Sequence, residues 1–280
     1  MITDNLTTCV YFSSILPEKC PVLNGHIIEA LQKRGIPYSY LSGTKDIWCR
    51  DFMPIQIEEG RFVFYKYTPG YLQDKYGLQL QTNPMEVFQF EVNQLHSIQK
   101  YGHKLDLVVD GGNVVKCGDK IVMTDKVFPE NKEKSPEEVQ RMLEEAFCCE
   151  IVFLPWDRWE KYGHSDGIIH YLGDNRVLMT NYPDFDKALA HDYLRILENH
   201  FDVTTLKYNV DKTDKNSWAY INFLQVGHLV LVPQLGIPED EQALEQISNA
   251  MPDCEVIGIP ALEAVRRGGA LNCISWNIKA

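Results

Sequence analysis

The sequence lacks the closely spaced cysteine pairs that are typical of a structural zinc site. Two of its eight cysteines, Cys148 and Cys149, are adjacent, and no C-x-x-C run occurs. The first twelve residues contain Asp4 but no lysine or arginine, so a secretory leader is not expected there. We therefore expect a cytoplasmic protein, in which the cysteines are free thiols because that compartment is reducing.

Positive charge is also scarce. The chain has 27 lysine and arginine residues against 39 aspartates and glutamates, a formal net charge of −12. This balance argues against a nucleic-acid-binding surface and is compatible with a cationic ligand. There is no low-complexity linker, and 45% of the 280 residues are hydrophobic. A single domain spanning residues 1–280 is therefore expected, with no association with a membrane.

The chain instead contains a repeated pattern of helix followed by strand. Helices are predicted near 21–34, 84–100, 135–148, 184–199 and 238–250, and short apolar strands follow near 38–42, 104–109, 150–154, 201–207 and 254–259. Ser135 and Glu138 form the N-cap and capping-box positions of one helix, with Pro136 in its first turn. Hairpin turns are predicted around Gly60, Gly118 and Asp174.

Polar residues that chemistry can use recur once per unit. They are spaced 51 to 59 residues apart, at Asp51, Asp110, His164, Asn222 and Cys273. Each follows a helix and a strand and precedes more strand-like sequence. Equivalent points of repeated units can face one centre, so these side chains are expected to converge there.

The two ends of the chain are expected to complete one unit together. The fifth unit stops at residues 274–280, and the chain begins with a strand-like run, 7–14, that no helix precedes. A closed ring of five units, a five-bladed α/β propeller, would leave no apolar sheet edge exposed. Alternation of strands and helices is also compatible with an ordinary open α/β sheet. The even spacing of the polar positions favours the ring.

Two segments are candidates for chemistry. Cys273 follows Gly268 and Gly269, which would let the backbone approach a ligand, and its thiol is a candidate nucleophile. In the run Gly163 to Gly167, His164 and Asp166 would project to one face of an extended chain and place a base beside a carboxylate. A cysteine is more often a small buried apolar residue, and a surface His-x-Asp is usually without function. The matching positions in the other units favour the active-site interpretation.

The segment 46–51 supplies an aromatic residue and a carboxylate. Trp48 and Asp51 are expected at a strand entrance, where the ring would form a pocket wall and the carboxylate its floor. Arg50 is expected to form a loop salt bridge with an acid.

These motifs together resemble those of the agmatine deiminase and bacterial-type peptidyl-arginine deiminase family, in the guanidino-group-modifying superfamily. The resemblance extends over nearly the whole chain, through WCRD at 48–51, DGGN at 110–113, GHSDG at 163–167, YINF at 220–223 and GGALNC at 268–273. It implies a five-bladed α/β propeller, also called the pentein fold. It also implies Cys273 as nucleophile, His164 as general acid and base, and Asp51 and Asp166 as the carboxylates that hold a guanidinium.

The resemblance further implies a hydrolase that converts agmatine to N-carbamoylputrescine and ammonia, without a metal or organic cofactor. Contacts to the substrate are expected from Trp48, Asp110, Asn222, Gly269 and Arg267. The expected partner is a small cationic guanidino compound, and a homodimer is left open.

Departures from the family motifs leave the substrate open. Asn272 stands where agmatine deiminases have histidine, and Asp110 stands where glutamate is usual. Arg266 or Arg267 could read the carboxylate of arginine or of a peptide, whereas Asp110 could read the amine of agmatine. A peptidyl- or free-arginine deiminase is therefore the main alternative. An amidinotransferase and an inactive cation-binding propeller are the others.

Overall fold

The computed structural model describes residues 1–88 and 102–280. Within these ranges the strands are β1 (Cys9–Ser13), β2 (Tyr38–Leu41), β3 (Ile55–Glu58), β4 (Arg61–Lys66), β5 (Gly102–Val108), β6 (Val115–Cys117), β7 (Lys120–Thr124), β8 (Glu150–Leu154), β9 (Ile169–Gly173), β10 (Arg176–Met179), β11 (Asp202–Thr205), β12 (Leu224–Val226), β13 (Leu229–Gln234), β14 (Glu255–Pro260) and β15 (Ser275–Ile278). They form five three-stranded sheets, with orders β15-β1-β2, β3-β4-β5, β6-β7-β8, β9-β10-β11 and β12-β13-β14.

All five sheets share one plan. The middle strand pairs antiparallel with the first strand and parallel with the third. A parallel pair needs a crossover connection, and a helix lies in each crossover. These helices are Pro21–Lys33, Pro136–Phe147, Lys187–Leu197 and Glu239–Ala250, and residues 84–88 are helical in the remaining unit. The remainder of the helix predicted at 84–100, from 89 onward, lies outside the described residues.

The shorter helices lie in the connections. They are Leu16–Lys19, Cys49–Phe52, Gly77–Leu80, Val127–Glu130 and Leu262–Val265. Turns of 3-10 helix are Asp4–Leu6, Gly70–Leu72, Gly111–Asn113, Ser165–Gly167, Tyr182–Asp184 and Ser217–Ile221. None of the helices described in 1–88 and 102–280 is long and apolar enough to cross a bilayer.

The helix Pro136–Phe147 begins where the sequence predicts. The Ser135 hydroxyl accepts a hydrogen bond from the Glu138 N–H at 3.2 Å, so the predicted N-cap is confirmed. Val139, Leu143 and Ala146 recur at helical spacing and are buried. That face packs into a cluster with other buried apolar residues such as Ile121 and Ile151 of the same unit.

The first and last strands close the ring. β1 is the middle strand of its sheet, and it pairs antiparallel with β15 through registers that include Cys9 with Ile278 and Phe12 with Ser275. On its other side β1 pairs parallel with β2. The prediction that the two ends complete one unit is therefore confirmed, and the fold is a five-bladed α/β propeller.

Candidate active site

The five repeated polar positions lie in the connections that lead from one sheet to the next. Asp51 is in the helix Cys49–Phe52, Asp110 precedes the turn Gly111–Asn113, and His164 precedes the turn Ser165–Gly167. Asn222 follows the turn Ser217–Ile221, and Cys273 lies just before β15. Because these connections meet at one end of the ring, side chains far apart in sequence come into contact.

Cys273 is surrounded by amide and carboxylate groups. Its Sγ lies 3.2 Å from Asn222 Oδ1 and 3.7 Å from Asp166 Oδ2. Its backbone N–H also donates to Asn222 Oδ1, at 3.2 Å. The side-chain amide of Asn272 donates to Asp166 Oδ2 at 2.7 Å. Asn222 therefore holds the thiol and its backbone, while Asn272 holds the neighbouring carboxylate.

His164 lies between two carboxylates. Its Nε2 is 3.0 Å from Asp110 Oδ2, and its Nδ1 is 3.7 Å from Asp51 Oδ1. Gly112, in the turn Gly111–Asn113, packs directly against the His164 and Asp51 side chains. A Cβ at this position would lie 2.5 Å from His164 Nδ1 and 2.7 Å from Asp51 Oδ1. Glycine is therefore required at 112 for the two side chains to approach.

One carboxylate of the site has an oxygen that is free to accept a hydrogen bond. Asp51 Oδ1 is buried and has no hydrogen-bond partner among the described residues. A buried, unpaired carboxylate oxygen costs free energy, and a bound N–H donor would recover it. Tyr65 holds the backbone around it, because its hydroxyl lies 2.8 Å from the carbonyl oxygens of both Asp51 and Met53.

Burial and crowded negative charge set the protonation states. Burial raises the pKa of Asp51 to about 7, and nearby Asp110 and Asp166 add to the effect of burial. Burial alone would lower the pKa of His164, but the three carboxylates outweigh it and raise that pKa to about 9. Burial, with Asp166 and Asp51, also raises the pKa of Cys273 well above its usual range. Without a cation bound, the site therefore holds a thiol and an imidazolium at neutral pH.

Two cavities meet at the thiol and the imidazole. We call the first the Trp48 cavity; it measures about 190 Å³, and its lining includes Trp48, Asp46 and Asp51. We call the second the Trp218 cavity; it measures about 420 Å³, and its lining includes Trp218 and Asp166. Four residues line both cavities, namely Tyr162, His164, Gly268 and Cys273. A group bound against Cys273 would therefore have Asp51 on one side and Asp166 on the other.

The paired glycines before the nucleophile are packed against aromatic rings. A Cβ at Gly269 would lie 2.3 Å from an atom of the Trp48 ring. Gly268 has φ of +100°, and a Cβ there would lie 2.8 Å from the Tyr162 hydroxyl oxygen. The close approach predicted for these glycines is therefore made to Trp48 and Tyr162, which form walls of the two cavities.

The electrostatics predict how Cys273 reacts with alkylating reagents. A cationic haloacetamidine should label Cys273 faster than neutral iodoacetamide does at neutral pH, because an amidinium between Asp51 and Asp166 lowers the pKa of the thiol. Labelling by iodoacetamide should rise with pH. Peptide mapping by mass spectrometry measures both rates, with the buried Cys9 and Cys49 as internal references. A rate of labelling of Cys273 by the amidine no higher than that by iodoacetamide, each taken relative to these references, would contradict the prediction.

Two local expectations are wrong. Asp166 lies in a 3-10 turn, so the backbone from His164 to Asp166 is not the extended chain that was predicted. Both side chains nevertheless reach the same site. Arg50 is buried and donates to Asn277 Oδ1 at 2.7 Å and to the Asn272 carbonyl at 3.4 Å, so it is held by neutral acceptors and not by the predicted salt bridge. Arg50 thereby fixes the backbone beside Cys273, whose carbonyl accepts from the Arg50 N–H at 3.1 Å.

The residues expected to contact the substrate are divided between the two cavities, except for Asp110, which lines neither. Trp48, Gly269 and Arg267 line the Trp48 cavity, and Asn222 lines the Trp218 cavity. Arg267 donates to the Lys19 carbonyl at 3.1 Å. Asp110 lies behind His164 and is fully buried by it and by Lys126, so its expected contact with a substrate amine stays a prediction that this geometry does not favour.

Several residues of the site carried no sequence signal. Asp46, Tyr71 and Tyr162 line the Trp48 cavity, and Lys126 contacts Asp110. No three histidine, cysteine, aspartate or glutamate side chains within the described ranges are grouped as metal ligands.

Comparison with known proteins identifies the family of this chain. Residues 26–278 match the model of the Porphyromonas-type peptidyl-arginine deiminase family. The chain belongs to this family.

Individual relatives of this deiminase family are distant. A Listeria monocytogenes relative is 26% identical over 211 residues, which cover 62% of this chain and 58% of the relative. The agmatine deiminase of Pseudomonas putida is 23% identical over 274 residues, covering 82% of this chain and 73% of that protein. The structure of C. jejuni agmatine deiminase aligns with a TM-score of 0.78 at 17% identity, over all of this chain and 96% of that one. The chain thus spans less than two thirds of the Listeria relative's length.

Proposed function

We propose that this protein is a cysteine-dependent guanidine deiminase that hydrolyses agmatine to N-carbamoylputrescine and ammonia. The observation that carries the proposal is the position of Cys273 and His164 where two cavities meet, with Asp51 on one side and Asp166 on the other. A guanidinium is planar, with N–H groups in a fork that suits carboxylates. Asp51 Oδ1, which accepts no hydrogen bond from the described residues, provides a buried acceptor for one of these groups.

The first half of the reaction joins the substrate to Cys273. The bound cation offsets the negative charge of Asp51 and Asp166, so the thiol loses its proton to solvent more readily while His164 stays protonated. The thiolate attacks the guanidinium carbon and forms a C–S bond. The His164 imidazolium gives its proton to the departing nitrogen, the C–N bond breaks and ammonia leaves. A covalent amidino-thioether that carries the alkyl tail of the substrate remains on the enzyme.

The second half releases the product. His164 is neutral after the first half and removes a proton from water as the water oxygen attacks the amidino carbon. The C–S bond then breaks, the hydroxyl proton of the adduct passes to solvent, the thiolate returns, and a ureido product leaves. His164 therefore acts in both protonation states, as an acid first and as a base second.

The substrate tail is proposed to lie in the Trp48 cavity. Asp46 lines this cavity together with Asp51, and we assign it, in place of Asp110, the distal ammonium of agmatine. Burial raises the pKa of Asp46, as expected for a carboxyl group that lacks a strong ion pair. A dication would gain attraction at both ends and from the net charge of −12. We therefore retain the prediction that the ligand is a small cationic guanidino compound. The homodimer and the cytoplasmic location stay predictions.

Free arginine is the second candidate, because Arg267 and Lys161 also line the Trp48 cavity. Either cation could pair with the carboxylate of arginine or of a peptide. Arg267 already donates to the Lys19 carbonyl, so turning to a substrate would break that hydrogen bond. This cost favours agmatine over arginine.

An ammonia-release panel over agmatine, arginine, methylated arginines and arginyl peptides tests the choice. We expect kcat/KM for agmatine to exceed that for arginine by at least about tenfold, equivalent to about 1.4 kcal/mol. Asp46→Asn should lower kcat/KM for agmatine more than for arginine, whereas Arg267→Ala should leave agmatine turnover within about twofold.

Other outcomes of the panel identify the alternatives. A preference for arginine or a peptide that is lost in Arg267→Ala would identify a peptidyl- or free-arginine deiminase. Turnover that requires an amine acceptor and releases no ammonia would identify an amidinotransferase. Binding of guanidines without turnover would identify an inactive cation-binding propeller.

A further inference from the structure

A buried lysine contacts the carboxylate behind His164. Lys126 Nζ donates to Asp110 Oδ2 at 2.8 Å, and this same oxygen lies 3.0 Å from His164 Nε2. The Lys126 side chain is 4% exposed and the Asp110 side chain is 0% exposed, so solvent does not weaken the pair. Asp110 Oδ2 is thus shared between an ammonium and an imidazole, while Oδ1 has no partner among the described residues.

Lys126 is itself held by a second acid. Its Nζ also donates to Glu130 Oε1 at 2.6 Å, one helical turn later, and that oxygen accepts from the Gly70 N–H at 3.0 Å. Nζ lies 5.3 Å from the centre of the Tyr71 ring, which in turn lies 6.1 Å from the His164 ring. The lysine is therefore held by two acids, and movement away from Asp110 would break a buried ion pair.

The charged and titratable groups around His164 come from several elements. Asp51 and Asp110 lie 3.7 and 3.0 Å from its two nitrogens. Asp166 adds negative charge, and the Tyr71 and Tyr162 rings pack against the imidazole. All three carboxylates favour the imidazolium. Lys126 is a cation paired directly with one of them, so it opposes their effect.

We propose that Lys126 is a positioning residue for proton transfer: by sharing Asp110 Oδ2 with His164, it limits how strongly Asp110 holds the imidazolium and lets His164 be neutral when water attacks. This inference rests on the proposed deiminase function. The first half of the reaction needs the imidazolium, which the carboxylates supply. The second half needs neutral imidazole, and Lys126 therefore matters more there.

Removing the ammonium should separate the two halves. In Lys126→Met, Asp110 is balanced by His164 alone, so the pKa of His164 should rise by about one unit. At a pH well below the wild-type pKa of His164, the neutral fraction of this residue, and with it the rate of water attack, should fall about tenfold. The covalent adduct on Cys273, with the mass of the substrate less ammonia, should then accumulate. Rapid quenching and intact-protein mass spectrometry measure it.

Matched variants separate this effect from instability. Lys126→Arg keeps the charge and should restore most of the hydrolysis rate. Lys116→Met removes another buried lysine, which lies 3.2 Å from Asp4 and has no contact with His164. It should lower stability comparably while leaving adduct accumulation and the pH profile unchanged. A wild-type ratio of adduct formation to hydrolysis in folded Lys126→Met would overturn the proposal.

A second measurement does not depend on turnover. In the Cys273→Ser background, an NMR titration of His164 should show a higher midpoint with Lys126→Met than with Lys126. An unchanged or lower midpoint would refute the role of Lys126 even if the deiminase function holds. A raised midpoint in a protein whose wild type releases no ammonia from any guanidine would refute the proposed function and retain the electrostatic coupling.

Discussion

Replacing Cys273 with serine is expected to abolish turnover of every guanidine substrate while the protein stays folded. A serine hydroxyl is a far weaker nucleophile than a thiolate at neutral pH, and the imidazole of His164 lies among carboxylates that keep it protonated. Loss of a nucleophile that acts as part of a catalytic unit typically lowers kcat by roughly 10⁴–10⁶-fold. Ammonia release under single-turnover and steady-state conditions measures the loss.

The control is a cysteine remote from the site. Cys254 is partly buried and lines neither the Trp48 nor the Trp218 cavity, so Cys254→Ser should keep near wild-type activity. Isothermal titration of Cys273→Ser with agmatine should still detect binding, because Asp51 and Asp166 remain. Activity of Cys273→Ser within tenfold of wild type would exclude the thiol as nucleophile.

The sequence predicted the fold well because the information was local and repeated. Most of the predicted helices have a start signal in the sequence, as Ser135 and Pro136 illustrate, and the hairpins at Gly60, Gly118 and Asp174 have typical turn residues. The regular spacing of the polar positions, such as Asp51, Asp110 and Cys273, predicted how units far apart in sequence are arranged, namely as a ring. The pairing of β1 with β15 agrees with it.

The local geometry of the site was harder to predict because tertiary hydrogen bonds determine it. His164 precedes a 3-10 turn whose Ser165 hydroxyl donates to the Val122 carbonyl at 3.0 Å, while the Thr124 hydroxyl donates to the Gly163 carbonyl. Neither partner is near the motif in sequence. An alternation rule applied to residues 163–167 therefore placed His164 and Asp166 together, as the structure does, but predicted the wrong backbone.

The residues that sequence reasoning missed act through tertiary contacts. Lys126 follows β7 in a segment without a recognisable motif, and only the fold brings it to Asp110. The substitution of aspartate for the usual glutamate at 110 was visible, but its consequence depends on that lysine. Arg50 was expected to pair with an acid, yet Asn277 and the Asn272 backbone satisfy it. Patterns indicate which residue types are present, and packing decides which of them meet.

Deleting residues 1–14 is expected to destroy the fold and hence the activity, because it removes the middle strand of a sheet. β1 separates β15 from β2, and without it both would lose their partner. Val10 and Phe12 are both 0% exposed, and burying such side chains contributes about 1.5–3 kcal/mol each. With the lost backbone hydrogen bonds, the deletion approaches the total stability of a typical domain, about 5–15 kcal/mol. Size-exclusion chromatography, circular dichroism and ammonia release measure the outcome.

A circular permutant distinguishes loss of ring closure from mere shortening of the chain. The two ends of the chain bind adjacent residues of β3: the Lys279 N–H donates to Gln56 Oε1 at 2.7 Å, and the Ile2 N–H donates to the Ile57 carbonyl at 3.1 Å. A short linker can therefore join residue 280 to residue 1, with new ends opened at the exposed turn of Glu59 between β3 and β4. This permutant keeps β1 between β15 and β2 and should fold and retain activity within about tenfold of wild type. A soluble, fully active deletion variant would contradict the closure argument, because β15 carries the segment that positions Cys273 and would then be stable without its partner strand.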